Sequence, residues 1–136
     1  MIQQREITLQ GYKRGFHLIT KIIESSFNEL PEKGIMNIMV KHTSAGITLN
    51  ENADPSVRTD FKSFFDDLVS EDYPKFSHNL EGSDDMPAHL KASILGQSVT
   101  VPITNHALNL GTWQGIYFCE FRNIGGTRKI VLTVID

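Results

Sequence analysis

Short β-branched runs, interrupted at irregular intervals by amphipathic segments, limit what this chain can fold into. Residues 2–9 put Ile7 and Leu9 on one side of a strand, and residues 35–41 suit a mostly buried strand. Ile47 and Leu49 alternate with Thr48 and Asn50, and Val99, Val101 and Ile103 alternate in the same way. Residues 115–122 and 129–135 complete the set, with Gly125-Gly126 read as the hairpin turn between them. Three stretches carry helical spacing instead. Residues 17–30 space Ile19, Ile22, Ile23, Phe27 and Leu30 along one face before Pro31 and Gly34. Asp54-Pro55 opens a second helix with Val57, Phe61, Phe64, Phe65 and Leu68 on one face. Residues 84–95 make a third, with Met86, Leu90 and Ile94 toward the core and Gly96 as its cap. Roughly six or seven strands and about three helices without a βαβ rhythm predict an α+β fold. It is β-rich, a mainly antiparallel sheet or sandwich.

The 136 residues form one domain, 1–136, large enough for a real core. With 40% apolar and 21% charged residues the chain is globular, and a net charge of −3 leaves no footprint for nucleic acid. One cysteine, Cys119, rules out an intrachain disulfide framework and fits a reducing compartment. It lies inside an apolar strand and reads as a buried thiol, not a nucleophile. No apolar run approaches the ~20 residues that would cross a bilayer, and the N-terminus lacks the apolar run of a signal peptide. The expected location is the cytoplasm, with no membrane partner.

Titratable groups concentrate between His78 and Lys91, where His78, Glu81, Asp84, Asp85, His89 and Lys91 occur together. A helix starting near Ser83 or Asp84 places Asp85 and His89 four apart on one face, with His78 and Glu81 arriving from the preceding loop. A neutral imidazole is the commonest transition-metal ligand, and a neighbouring carboxylate fixes its tautomer. The plain alternative is a solvated helix start. A second polar cluster, His42-Thr43-Ser44, falls where a buried strand gives way to a turn. It reads either as a site or as a turn satisfying local backbone. The third is Gly111-Thr112-Trp113-Gln114, followed by Glu120 and Arg122. Glu120 either faces solvent, the commoner case, or is paired, because an acid buried alone is costly. His17 reads as structural, and no nucleophile elbow, P-loop or Rossmann fingerprint is present.

These blocks together resemble the YjbQ-like proteins. His42-Thr43-Ser44-Ala45, Leu49-Asn50-Glu51-Asn52 with Asp54-Pro55, and Asp60 are similar to that family's first block. His78 with Glu81-Gly82, Asp84-Asp85, His89 and Lys91 are similar to the second, and Ser98–Pro102 with Gly111–Gln114 to its signature. The family is also known as the secondary thiamine-phosphate synthase family, many of whose members have no known function. The resemblance implies a homotrimer with a metal-associated pocket near a subunit boundary. It implies His42, His78 and His89 as metal ligands. Glu81, Asp85, Lys91, Glu120 and Arg122 become catalytic candidates. Thr43, Ser44, Asn50, Glu51, Asn52, Asp54 and Gln114 become substrate-binding candidates. Two positions depart: many relatives carry Gly where His106 stands and His where Phe121 stands.

The activity so implied joins a pyrimidine bearing a pyrophosphate to a thiazole phosphate, expelling pyrophosphate. It would use a divalent cation with Lys91 and Arg122, and Arg58 as a further candidate, on phosphate oxygens. Imidazole ligands favour zinc, whereas a phosphorylated substrate commonly brings magnesium on oxygen ligands. A zinc-dependent hydrolase of a small substrate is therefore the rival enzyme, and a non-catalytic metal-stabilised trimer that binds a ligand is the rival from another class.

Overall fold

The computed structural model describes all 136 residues. In chain order the elements are β1 (Ile2–Leu9), β2 (Gly15–Leu18), α1 (Thr20–Glu24), β3 (Lys33–Val40) and β4 (Ala45–Glu51). There follow α2 (Pro55–Leu68), α3 (Asp85–Leu95), β5 (Ser98–Thr104), β6 (Ala107–Leu108), β7 (Gln114–Glu120) and β8 (Arg128–Ile135). The strands form two antiparallel sheets, one ordered β1-β8-β3-β5-β6 and the other β2-β7-β4. The fold is thus α+β, as expected.

Three layers result. Met36, Ile38, Val101, Ile130, Leu132 and Val134 from the larger sheet meet Ala45, Ile47, Ile116 and Phe118 from the smaller one in a continuous core. The other face of the small sheet packs Phe16, Tyr117, Cys119 and Phe121 against Ala88 and Ala92 of α3, with Phe61 and Phe65 of α2 alongside. Strand β7 is covered on both faces, which is why 116–121 reads as a continuous apolar run with no alternation. The two alanines, fully buried, let the helix backbone lie close to the sheet.

Three expectations are corrected. The helix over 17–30 is one short helix, α1, because Gly15–Leu18 pairs with Tyr117–Glu120 instead. Ser25 and Ser26 then donate their hydroxyls to Ile22 O at 3.1 and 2.7 Å, competing with the helical backbone and ending it. Ile19, Ile23, Phe27 and Leu30 are nonetheless all buried. Gly125-Gly126 makes no hairpin, because β7 and β8 belong to different sheets and this segment crosses between them. The Met86, Leu90 and Ile94 face of α3 does not enter the core; Ile94 is 57% exposed, and the face that does is made of Pro87, Ala88, Lys91 and Ala92. The apolar face of α2 is as read but only partly covered: Phe61 and Phe65 pack on the core, while Phe64 and Leu68 stand exposed.

Both departures from the family pattern have a structural setting. Asn105 and His106 form the turn between β5 and β6 with φ of 52° and 64°, the left-handed region that favours Gly. His106 is held there by its Nδ1 on Leu30 O at 2.8 Å. Phe121 is buried among Phe16 and Phe65, at ring distances of 6.0 and 6.1 Å.

Candidate functional site

The helix start at α3 assembles the densest polar cluster. Asp84 occupies the N-cap position but does not cap with its side chain. Its carboxylate instead accepts from Arg122 Nε and Asn123 N–H, both at 2.9 Å. Arg122 also donates Nη1 to Asp85 Oδ1 at 2.7 Å and Nη2 to Glu81 O at 2.9 Å. All three limbs of the guanidinium are therefore engaged in tying the helix start to the end of β7. Asp85 is 2% exposed and turns its other oxygen, Oδ2, to His78 Nε2 at 2.7 Å and His89 Nε2 at 3.1 Å. One ligand atom from each of His78, Asp85 and His89 lies within 4.8 Å of the other two. The imidazoles are the accessible side of the cluster, 47% exposed for His78 and 29% for His89.

Hydrogen-bond polarity constrains this cluster. His89 Nδ1 faces the Thr43 carbonyl at 3.0 Å, and a carbonyl only accepts, so Nδ1 carries a proton. In the neutral ring the Nε2 lone pair then points at a carboxylate oxygen. Two electron-rich atoms in that position need a proton or a metal cation between them. Tetrahedral zinc ligands at about 2.0–2.1 Å would stand roughly 3.3 Å apart, close to the spacing found here. Two imidazoles and a carboxylate, with the solvent side open, fit a zinc-type ion.

Burial pushes the Asp85 carboxyl up, but the His78 contact and the His89 and Arg122 charges outweigh it and hold it below the ordinary range. Asp84 is likewise depressed: burial raises it, and the Asn123 N–H and Arg122 more than compensate. Both folded values lie below the unfolded one of about 3.9. The stability they contribute is therefore complete above that value and is lost as pH falls through the lower folded values. Acid unfolding followed by circular dichroism should begin at higher pH in Arg122→Met than in the parent chain. An unmoved acid midpoint would show that Arg122 is not what depresses the pair.

His42 does not join His78 and His89 within the chain. Its Nε2 accepts the Lys129 N–H at 2.8 Å, which holds the ring at the start of β8. Burial, with the nearby Arg128 charge, holds its pKa below the ordinary histidine value. Asp85, not His42, is the third member of the cluster with His78 and His89. Thr43 contributes its backbone carbonyl only, and Glu81 likewise its carbonyl, to Arg122.

Lys91 and Glu120 also take other roles. Lys91 is 1% exposed and donates to Asp66 Oδ1 of α2 at 2.8 Å, so it has no free ammonium for a phosphate. Glu120 is fully buried between the sheets and receives Arg128 Nε at 2.8 Å and Nη2 at 2.6 Å. Arg128 also donates to Ser44 Oγ at 3.0 Å. Of the two readings for Glu120 the paired one holds. Arg128 carries no motif signal, and only the question of which cation neutralises an acid inside an apolar strand could have pointed to it.

The remaining candidates lie at the other end of β4. Glu51 accepts the Ala53 N–H at 3.1 Å and the Asp54 N–H at 3.0 Å, and Asp54 caps α2 by accepting the Ser56 N–H at 2.9 Å. Asn50 Oδ1 accepts the Glu51 N–H at 2.8 Å. Asn52 donates to Gln114 O at 3.1 Å, and Gln114 Oε1 accepts the Gly111 N–H at 2.9 Å. Of these side chains Asn52 ties 50–54 to 111–114, and the others bond within their own segment. Ala45 pairs with Glu120 and Glu51 with Gln114, so six strand steps, about 20 Å, separate this group from the His78 cluster. Trp113, beside Gln114, is 65% exposed and belongs to no core in the chain.

The family model described as "UPF0047 protein YjbQ-like" matches residues 5–136. The chain belongs to the YjbQ-like family. The YjbQ protein of Salmonella typhimurium (strain LT2) is 48% identical over 136 residues, covering 98% of each chain. That of Escherichia coli O157:H7 is 43% identical with the same coverage. Among solved structures, a YjbQ/UPF0047 family protein of Clostridium acetobutylicum is 36% identical with a TM-score of 0.82, over 96% of this chain and 99% of its own. A hypothetical protein of Aeropyrum pernix K1 gives 0.84 at 28% identity, over 98% of each. The fold is therefore the YjbQ-like fold. No helix is long and apolar enough to cross a membrane.

Proposed function

We propose that this YjbQ-like protein is a metal-dependent enzyme acting on a small phosphorylated substrate, with a zinc-type ion on His78, Asp85 and His89. The observation that carries this is the facing pair of His89 Nε2 and Asp85 Oδ2 at 3.1 Å, with Nδ1 already committed to Thr43 O. Bound zinc supplies Lewis acidity and a water of lowered pKa. The chain's own residues do the rest. Thr43 O fixes the His89 tautomer, and Arg122 fixes the direction of the Asp85 carboxylate. The open side of the cluster, at the two imidazoles, is where substrate would approach.

The reaction implied by the resemblance to the secondary thiamine-phosphate synthases is transfer of a pyrimidine from pyrophosphate to a thiazole phosphate, in a trimer. A second reading, hydrolysis of a small substrate, is favoured by one observation. Lys91 and Arg122, the cations that would offset charge on departing pyrophosphate, are already held by Asp66, Asp84 and Asp85. Under this reading the transfer is a side activity, and magnesium on phosphate oxygens is not required at the protein ligands.

Elemental analysis of purified protein should give about one zinc per chain. The His78→Ala/His89→Ala double variant should give none while keeping its circular dichroism. With both transfer substrates present, pyrophosphate release that requires the thiazole phosphate supports transfer; release from the pyrimidine alone supports hydrolysis. A wild-type chain that takes up no metal, or a His89→Ala variant of unchanged activity, would overturn the proposal.

A further inference from the structure

Residues 69–84, between α2 and α3, form neither helix nor strand. Both ends of this strap are tied down. Near its start Glu71 accepts Arg14 Nη1 at 3.0 Å, and near its end Glu81 O accepts Arg122 Nη2 at 2.9 Å. Between Tyr73 and Leu80 the one hydrogen bond, backbone or side chain, is that of His78 with Asp85. The residues hung on that single link are not idle. Tyr73 and Phe76, with ring centroids 4.8 Å apart, wall two cavities. One, of about 500 Å³ and open to solvent, is lined on its other sides by Leu68, Val69, Leu90 and Ile94. The other, of about 250 Å³, reaches His78 and Met86. The outer apolar row of α3, which the sheet does not use, thus faces an aromatic wall whose position depends on His78.

We propose that an ion on His78 acts as a clasp for this strap, and that the larger cavity it completes is a subsite for the apolar, ring-bearing part of a small-molecule ligand. The inference rests on the metal reading above and adds to it a binding site and its control. A cavity of this size and lining suits a ring-bearing small molecule, since such sites run from about 300 to 1,000 Å³ and are mostly apolar. The same ion then couples reaction centre and subsite. Without it one exchangeable hydrogen bond from a half-exposed imidazole holds the wall. With it the imidazole is fixed by coordination, and Tyr73 and Phe76 stay over Leu90 and Ile94.

Lys75 lies exposed in the middle of the strap and offers a tryptic site. Cleavage after Lys75 should slow at least about tenfold when zinc is added to the chelator-treated chain, relative to cleavage elsewhere. The neutral naphthalene dye 6-propionyl-2-(dimethylamino)naphthalene should bind at least about tenfold more tightly under the same change. In His78→Ala both zinc effects should vanish, and in Leu90→Glu the dye should be lost while zinc still protects Lys75. Zinc bound at one per chain with Lys75 cleavage unchanged would overturn the clasp and leave the metal site standing. Dye binding indifferent to Leu90→Glu would overturn the subsite, as would a face that sedimentation and cross-linking show covered by a second copy. A chain that takes up no zinc fails the metal reading first, and this inference with it.

Discussion

Arg128→Met should lower the unfolding free energy by about 3–5 kcal/mol, measured by urea denaturation, because it leaves a carboxylate unpaired between two sheets. Glu120 is fully buried, and the Arg128 side chain is 7% exposed. The fork donates Nε and Nη2 to the two carboxylate oxygens, with Ser44 taking a further bond. Gly125 passes over the pair so closely that a Cβ there would run into the Glu120 carboxylate. The double variant Glu120→Gln/Arg128→Met should recover part of the loss, since it removes the stranded charge as well as its partner. A single variant within about 1 kcal/mol of the parent would mean that the pair is hydrated and that the two sheets are not sealed at this end.

Zinc affinity should fall at least about 100-fold in Asp85→Asn and about 10–100-fold in Arg122→Lys, as read by competition with a chromogenic chelator. Asn keeps the shape of Asp85 but removes the charge that two imidazoles share. Lys at 122 keeps a charge but cannot reach Asp84, Asp85 and Glu81 O at once, so the carboxylate loses its fixed direction. The two variants thus separate a ligand from a residue that orients one. Zinc binding lost in His42→Ala and untouched in Asp85→Asn would reverse the ligand assignment and return His42 to the centre.

Much of the architecture was legible before any coordinates. Alternation at Val99, Val101 and Ile103, and the Asp54-Pro55 helix start, each report a local rule: strand period or helix capping. The failures share a cause. Residues 17–30 have helical spacing, yet Gly15–Leu18 gains more by pairing with β7, a partner far away in sequence. Gly125-Gly126 reads as a hairpin because turn chemistry is local, whereas which sheet the next strand joins is not. At the candidate site, Asp85 and His89 could be paired from their spacing alone, and His78 placed beside them from the loop. The separation of His42 from that pair could not, because it depends on a backbone N–H of β8.

By itself the chain specified six of its eight strands, all but β2 and β6, two of its three helices and the density of imidazole and carboxylate around Asp85, because periodicity and capping act over a few residues. Folding in three dimensions decided the partners. It spent Lys91 on Asp66, Arg122 on the helix start and Glu120 on Arg128, and sent Glu51, Asp54 and Gln114 to the far end of β4. A buried charge takes whichever opposite charge the packing brings within reach, and no short-range pattern encodes which one that is.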